Sequence, residues 1–367
     1  MVTAKKAIQG IPIYQPGKSL EAVKRELGLD EVIKLASNEN PFGASKKVWE
    51  SLAEVKEQFH LYPEDDAPTL RYKLAELLEI DERRLIFGNG SDEVIQMIAR
   101  AYLEPGTEAV MATPTFPRYE TVTQIEGAKV VAIPLRDGKH DLNEMVESVN
   151  EKTRVVWVCN PNNPSGTYIN QQELSEFLDR LPQHVLVVLD EAYFEYVTAE
   201  DYPDSLSLLD YDPRLVILRT FSKIYGLAAF RAGYGIAHPD VIKELSRVRD
   251  PFNLSRLAQA AAIAAVEDET FVFYCRNQNR LGVRQITAKL DEWGLSYYPT
   301  QANFLLIHIG YNSDEAFQYL LERGVIVRSG TALGFPDYLR VTVGKKEEND
   351  AFLTALGSFI EEKRAHV

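Results

Sequence analysis

The sequence predicts an α/β protein: a large domain with a mostly parallel seven-stranded sheet between helices, and a smaller α+β domain beside it. Three observations predict it. Short apolar runs at 85–87, 108–112, 130–133, 154–159, 185–189, 214–219 and 233–237 alternate with helical patterns or Gly/Pro loops, the order that a two-sided parallel sheet produces. The runs ending at 159, 189 and 219 follow one another at the spacing of one strand–helix–strand unit, about 30 residues. After about residue 250 the pattern changes to helical stretches at 255–294, strands at 303–309, 325–328 and 339–343, and a closing amphipathic helix at 346–364.

Taken in order, residues 1–40 are expected to join the small domain, 41–260 to form the large one, and 261–367 the small C-terminal domain. Amphipathic helices are predicted over 45–58 and 68–79, around the turn-rich stretch Tyr62-Pro-Glu-Asp-Asp-Ala-Pro68. A further helix, 91–103, opens after Gly88-Asn-Gly-Ser-Asp-Glu93. That turn lacks the third glycine of a dinucleotide fingerprint and has no Walker lysine, but the N–H groups of Ser91 and Asp92 can face a phosphate.

The 367 residues carry 40 Lys and Arg against 54 Asp and Glu, a formal charge of −14. Such a surface repels nucleic acid and anionic membrane, while leaving room for a small phosphorylated ligand in a local pocket of donors. Cys159 and Cys275 are too few for a disulfide framework and lack metal-ligand spacing, so no metal is expected. Residues 1–10 lack the apolar core of a signal peptide, and no run is long enough to cross a bilayer, which makes the cytoplasm the expected location.

Three of the apolar runs end in polar clusters: Asn160-Pro-Asn-Asn-Pro-Ser-Gly166, Asp190-Glu-Ala-Tyr193 and Thr220-Phe-Ser-Lys223. Parallel strands would gather all three at the carboxyl edge, where open α/β sheets bind ligands. Singly, each is ordinary: an Asp after a strand is usually a helix cap, a lone Lys is usually solvated, and Asn-Pro-Ser-Gly is a turn. Together they suit one chemistry. An aldehyde cofactor needs a lysine amine, a pyridine ring serving as electron sink needs a carboxylate at its nitrogen, and its phenolate oxygen needs donors. A phosphate handle needs hydroxyls, backbone N–H groups and an arginine.

The run Thr220-Phe-Ser-Lys-Ile-Tyr-Gly-Leu-Ala-Ala-Phe-Arg-Ala-Gly233, with the other two clusters, resembles the lysine motif and companion signatures of the fold-type-I, pyridoxal-phosphate-dependent aminotransferases. The resemblance implies pyridoxal 5′-phosphate held as a Schiff base on Lys223, which also shuttles the proton. It implies Asp190 at the ring nitrogen, Asn163 and Tyr193 at the phenolate oxygen, and Thr220, Ser222 and Arg231 with Ser91 and Asp92 at the phosphate. Phe116, in Pro114-Thr-Phe-Pro117, matches the ring-stacking aromatic, for which plain core packing is the alternative.

Segments along nearly the whole chain are similar to the branch of that family acting on histidinol phosphate: Tyr14-Gln-Pro-Gly-Lys18, Lys34-Leu-Ala-Ser-Asn-Glu-Asn-Pro41, Tyr62-Pro-Glu64, Ile326-Val-Arg328 and Leu339-Arg-Val-Thr-Val-Gly344. Aromatic amino-acid aminotransferases and a threonine-phosphate decarboxylase share these motifs and stay open as alternatives. The branch implies glutamate as amino partner in a step of histidine biosynthesis. Arg340 would bind the anionic end of each substrate, Arg328 would assist, and Tyr14 and Asn38 would line the pocket. It also implies a homodimer in which Tyr62 reaches the neighbouring subunit's cofactor phosphate.

Overall fold

The structure, a computed structural model, describes residues 2–13 and 20–365. Its strands are β1 (Ile33–Lys34), β2 (Leu85–Asn89), β3 (Glu108–Thr113), β4 (Lys129–Pro134), β5 (Thr153–Cys159), β6 (Leu186–Asp190), β7 (Leu215–Thr220), β8 (Ala232–Ala237), β9 (Phe304–His308), β10 (Val325–Ile326), β11 (Arg328–Ser329) and β12 (Tyr338–Thr342).

Seven of them form one sheet in the order β2-β8-β7-β6-β5-β3-β4. Neighbours from β7 to β4 are parallel, and β8 runs against both β7 and β2. The central strands are apolar on both faces because both are covered. Val156, Val158, Val187, Leu189 and Ile217 enter one core with the helices Pro68–Leu78, Gln171–Arg180 and Arg256–Val266. Their alternates Val155, Trp157, Val188, Val216 and Leu218 enter a second core with Ser91–Tyr102, Arg118–Ile125 and Pro239–Ser246. The ends of β5, β6 and β7 lie side by side, since Cys159 pairs with Asp190 and Asp190 with Leu218. The start of β8 and the end of β2 reach the same edge, where Gly90 N–H bonds the carbonyl of Arg231.

A third core lies among β9, β10, β12 and the helices Glu269–Trp293, Ser313–Glu322 and Lys346–Ala365, and it also takes in Leu35. β1 pairs in parallel with β10, and Leu35 bonds both Ile326 and Thr342 through its backbone. The single strand expected over 325–328 is therefore two strands in different sheets. Val325, Ile326 and Val327 are all buried, so the chain has core on both sides there and changes partner between Ile326 and Arg328. The helical stretch 255–294 divides at Glu267 and Asp268, where the Asp268 carboxylate caps the second helix by accepting from Phe271 N–H. No helix among the described residues is long and apolar enough to cross a membrane.

Candidate active site

Asp190 ends β6 and is 3% exposed. Its Oδ2 accepts from the Tyr119 hydroxyl at 2.6 Å and its Oδ1 from Ala192 N–H at 3.1 Å. Burial raises its carboxyl to about 6, against the pull of those two donors. No ion pair to Asp190 occurs among the described residues, where its two oxygens are held by neutral donors.

Three residues further on, Tyr193 is buried, with its ring edge-on to Phe304 at 5.2 Å. Its hydroxyl oxygen accepts from Asn38 Nδ2 at 3.0 Å. Asn38 sits in the left-handed region, φ 55°, a conformation asparagine tolerates better than most residues. Its N–H donates to Thr342 Oγ1 at 2.9 Å and its carbonyl accepts from Asn303 Nδ2 at 3.0 Å. The β12 strand and the segment after β1 thus fix a side chain over the end of β6.

Lys223 follows β7 in a turn closed by Gly226 N–H on its carbonyl. Its Nζ lies 5.6 Å from the centre of the Tyr193 ring. Burial first, and the charge of Arg340 second, lower the amine to about 8, with Arg231 adding to this and Asp92 and Glu39 opposing. A neutral amine is thereby within reach near physiological pH, as a nucleophile or proton carrier requires.

On one side of Lys223 the groups suit a phosphate. Ser222 N–H donates to Thr220 Oγ1 at 3.1 Å. Arg231, in a left-handed conformation (φ 55°), reaches Ser222 Oγ at 3.4 Å and Asp92 Oδ2 at 3.3 Å. These contacts are long and half-exposed, so an anion can displace them at little cost. The helix Ser91–Tyr102 begins here, and its entry is tight: a Cβ on Gly90 would lie 2.7 Å from Arg231 Nη2, and one on Gly233 only 2.2 Å from Ser91 N. Glycine at these positions lets the helix N-terminus and the arginine converge.

On the other side lies Arg340, whose orientation strand alternation alone leaves open between pocket and water. It turns inward, 8% exposed, donating from Nη1 to Asn163 Oδ1 at 2.6 Å and from Nη2 to the Ala36 carbonyl at 2.8 Å. Arg328 is its direct cross-strand partner, so the two side chains rise from one face of the sheet. Phe116 is half-buried, with its ring edge-on to Tyr119 at 5.6 Å.

The fold therefore brings Asn38, Ser91, Asp92, Asn163, Asp190, Tyr193, Thr220, Ser222, Lys223, Arg231 and Arg340 to one region. Tyr62 stands apart, 77% exposed and stacked on Phe252 at 4.8 Å. Tyr14 lies outside the described residues. Sequence reasoning missed Tyr119, the second residue of the helix Arg118–Ile125, and the ion pair Arg219–Glu191, in which Glu191 hides inside the Asp-Glu-Ala-Tyr cluster. Both partners are almost fully buried, and Arg219 Nε and Nη2 hold Glu191 Oε2 at 3.0 and 2.9 Å.

A sheet whose carboxyl edge gathers an amine, an uncompensated carboxylate and an anion cradle defines a class, and the chain belongs to the aminotransferase class I and II family, whose profile matches residues 30–356. Within that family it is 55% identical over 360 residues to the histidinol-phosphate aminotransferase of Geobacillus sp. (strain WCH70), covering 98% of this chain and 99% of that protein. Among solved structures it matches histidinol-phosphate aminotransferase from Sinorhizobium meliloti in complex with pyridoxal-5′-phosphate, with TM-score 0.90, 27% identity, and coverage of 99% and 98%. It also matches L-threonine-O-3-phosphate decarboxylase from Porphyromonas gingivalis, with TM-score 0.79, 26% identity, and coverage of 90% and 100%.

Proposed function

We propose that this protein transfers an amino group between glutamate and histidinol phosphate, with their oxo counterparts 2-oxoglutarate and imidazole-acetol phosphate, as a step of histidine biosynthesis in the cytoplasm. The 55% identity over nearly the full length of both chains favours this reaction over the aromatic and decarboxylating alternatives. The observation that carries the mechanism is the convergence on one edge of Lys223, Asp190, Tyr193, Asn163 and Arg231, with Arg340 turned in beside them.

Pyridoxal 5′-phosphate fits this set of donors. Asp190 is a buried acid in want of a cationic N–H, and Lys223 is a buried amine with a lowered pKa. Arg231, Ser222, Thr220 and the N–H groups of Ser91 and Asp92 would hold the phosphate. Asn163 and Tyr193 would hold the phenolate oxygen, and Phe116 would cover the ring. When bound, the cofactor supplies an aldehyde for the amine and an electron-accepting ring.

The chain's own residues do the rest. Lys223 Nζ, as a neutral amine, would move the proton to and from the reacting carbon, and burial would keep it from holding that proton permanently. Asp190 would keep positive charge at the ring nitrogen. Arg340 receives the oxyanion of either substrate, for which its planar fork of donors is suited, and Arg328, Asn38 and Tyr14 complete that pocket.

The reading includes a homodimer in which Tyr62 serves the partner's site. The outward stack of Tyr62 on Phe252, itself 42% exposed, supports it, because a second copy would bury both rings. It also includes domain limits at residues 40 and 260, in keeping with a separate core around Leu35, Leu305 and Phe352. Steady-state rates with histidinol phosphate, phenylalanine, tyrosine and threonine phosphate test the substrate. Histidinol phosphate should lead. A dominant phenylalanine rate, or carbon dioxide from threonine phosphate without any oxo acid, would reassign the chain.

A further inference from the structure

We infer that Tyr119 is a positioning residue that holds Asp190 in its ionised form and so keeps a proton on the cofactor's ring nitrogen; the second half of this rests on the cofactor placement proposed above. The phenol is fully buried and its hydroxyl donates to Asp190 Oδ2 at 2.6 Å. Its place is fixed by packing: the ring stacks on Trp157 at 5.1 Å and 8°, and meets Phe116 edge-on at 5.6 Å. Trp157 is a central residue of β5, two positions before Cys159, which lies opposite Asp190. The rigid sheet therefore places both ends of this hydrogen bond.

The chemistry follows from where the proton sits. A carboxylate beside a pyridine nitrogen can share one proton as an ion pair, ring N–H⁺ with carboxylate, or as a neutral pair with the proton on the acid. Burial alone favours the neutral pair. A donor on the second side of the carboxyl stabilises the charged form more than the neutral one, and so shifts the balance to the protonated ring. Ala192 N–H is one such donor and cannot be removed by substitution of its side chain, whereas Tyr119 Oη is the side-chain donor. Other titratable groups acting on Asp190 include Cys159 on β5, Tyr193 and Glu191 beyond β6, and Asp92 at the start of the helix Ser91–Tyr102. None of these is a cation. Tyr119 itself is pushed well above its ordinary range by burial and by the Asp190 charge, so it stays a donor throughout the working pH range.

Tyr119→Phe removes the donor and keeps the ring stack. In the cofactor-free full chain, the Asp190 carboxyl is followed by its infrared carbonyl band, assigned as the one missing in Asp190→Asn. Its midpoint should rise by about one to two pH units in Tyr119→Phe, the loss of one hydrogen bond to a charged group. In the loaded enzyme, the ¹⁵N signal of labelled cofactor should move toward the unprotonated ring, and kcat should fall with KM little changed. If Tyr119→Phe melts early, the midpoint is read in Tyr119→His, whose ring can still donate and which should keep it nearer the wild-type value. An unmoved carboxyl midpoint overturns the inference outright. A raised midpoint with an unmoved ring-nitrogen signal overturns the tuning of the ring, and places the fault in the assignment of Asp190 to that nitrogen.

Discussion

Replacing Arg340 with methionine removes a guanidinium that is 8% exposed and holds Asn163 Oδ1 and the Ala36 carbonyl at 2.6 and 2.8 Å. These two acceptors are neutral groups, an amide oxygen and a backbone carbonyl. Losing a charge-assisted contact of this kind costs about 1.5–3 kcal/mol, or about 10- to 150-fold in kcat/KM. On the proposed reading glutamate and histidinol phosphate share this guanidinium as their oxyanion anchor, and both half-reactions should then weaken within that range. Arg340→Lys should fall between, keeping charge and losing the two-point geometry. A second effect has a fixed sign. Arg340 helps lower the Lys223 amine to about 8, so removing it raises that pKa. The neutral amine is the active form, and the acid limb of the kcat profile must then move to higher pH. The assay is stopped-flow half-reactions with each substrate over a pH series. A variant impaired with one substrate alone, or an acid limb that moves down, would refute the reasoning.

Asp190→Ala should lose far more rate than Asp190→Glu, since only the latter keeps a carboxylate near the ring; comparable half-reaction rates would make this residue a mere loop brace. Arg219→Met should lower thermal stability sharply, by about 3–5 kcal/mol, because Glu191 is left charged inside the core, and Arg219→Met with Glu191→Leu should recover much of the loss. Equal melting of single and double variants would show that the pair is not coupled. For the dimer, Lys223→Ala and Tyr62→Ala chains carrying different tags can be co-expressed and the mixed species isolated. Tyr62 acting across the interface leaves one intact site, about half of wild-type activity per dimer if sites are independent; activity no better than half that of the Tyr62→Ala homodimer would show that it acts within its own chain.

The sheet was legible because two-sided burial writes itself as unbroken apolar runs, and because parallel strands must end on one edge. That alone placed Asn163, Asp190, Tyr193 and Lys223 near one another. The two faces of β5 and β6 were not separable, since runs such as Val155-Val156-Trp157-Val158 are apolar at every position. Val325-Ile-Val-Arg328 read as one strand for the same reason: a change of hydrogen-bonding partner leaves no mark on hydrophobicity. Arg340 showed that it left the apolar side of β12, but pocket or solvent depends on the segment Leu35–Asn38 packed over it, 304 residues away in sequence from the Ala36 carbonyl it bonds. Tyr119 was hidden because an aromatic within a helix ordinarily serves the core, and its hydroxyl's partner lies 71 residues on.

The central claim is that Lys223 is the residue that holds the cofactor. Borohydride reduction of the purified, cofactor-loaded protein, followed by digestion and peptide mass mapping, tests it directly. The account predicts one modified peptide, carrying the pyridoxyl phosphate mass on Lys223, and none in Lys223→Ala. The same mass fixed on any other lysine, or an undiminished signal in Lys223→Ala, would contradict it.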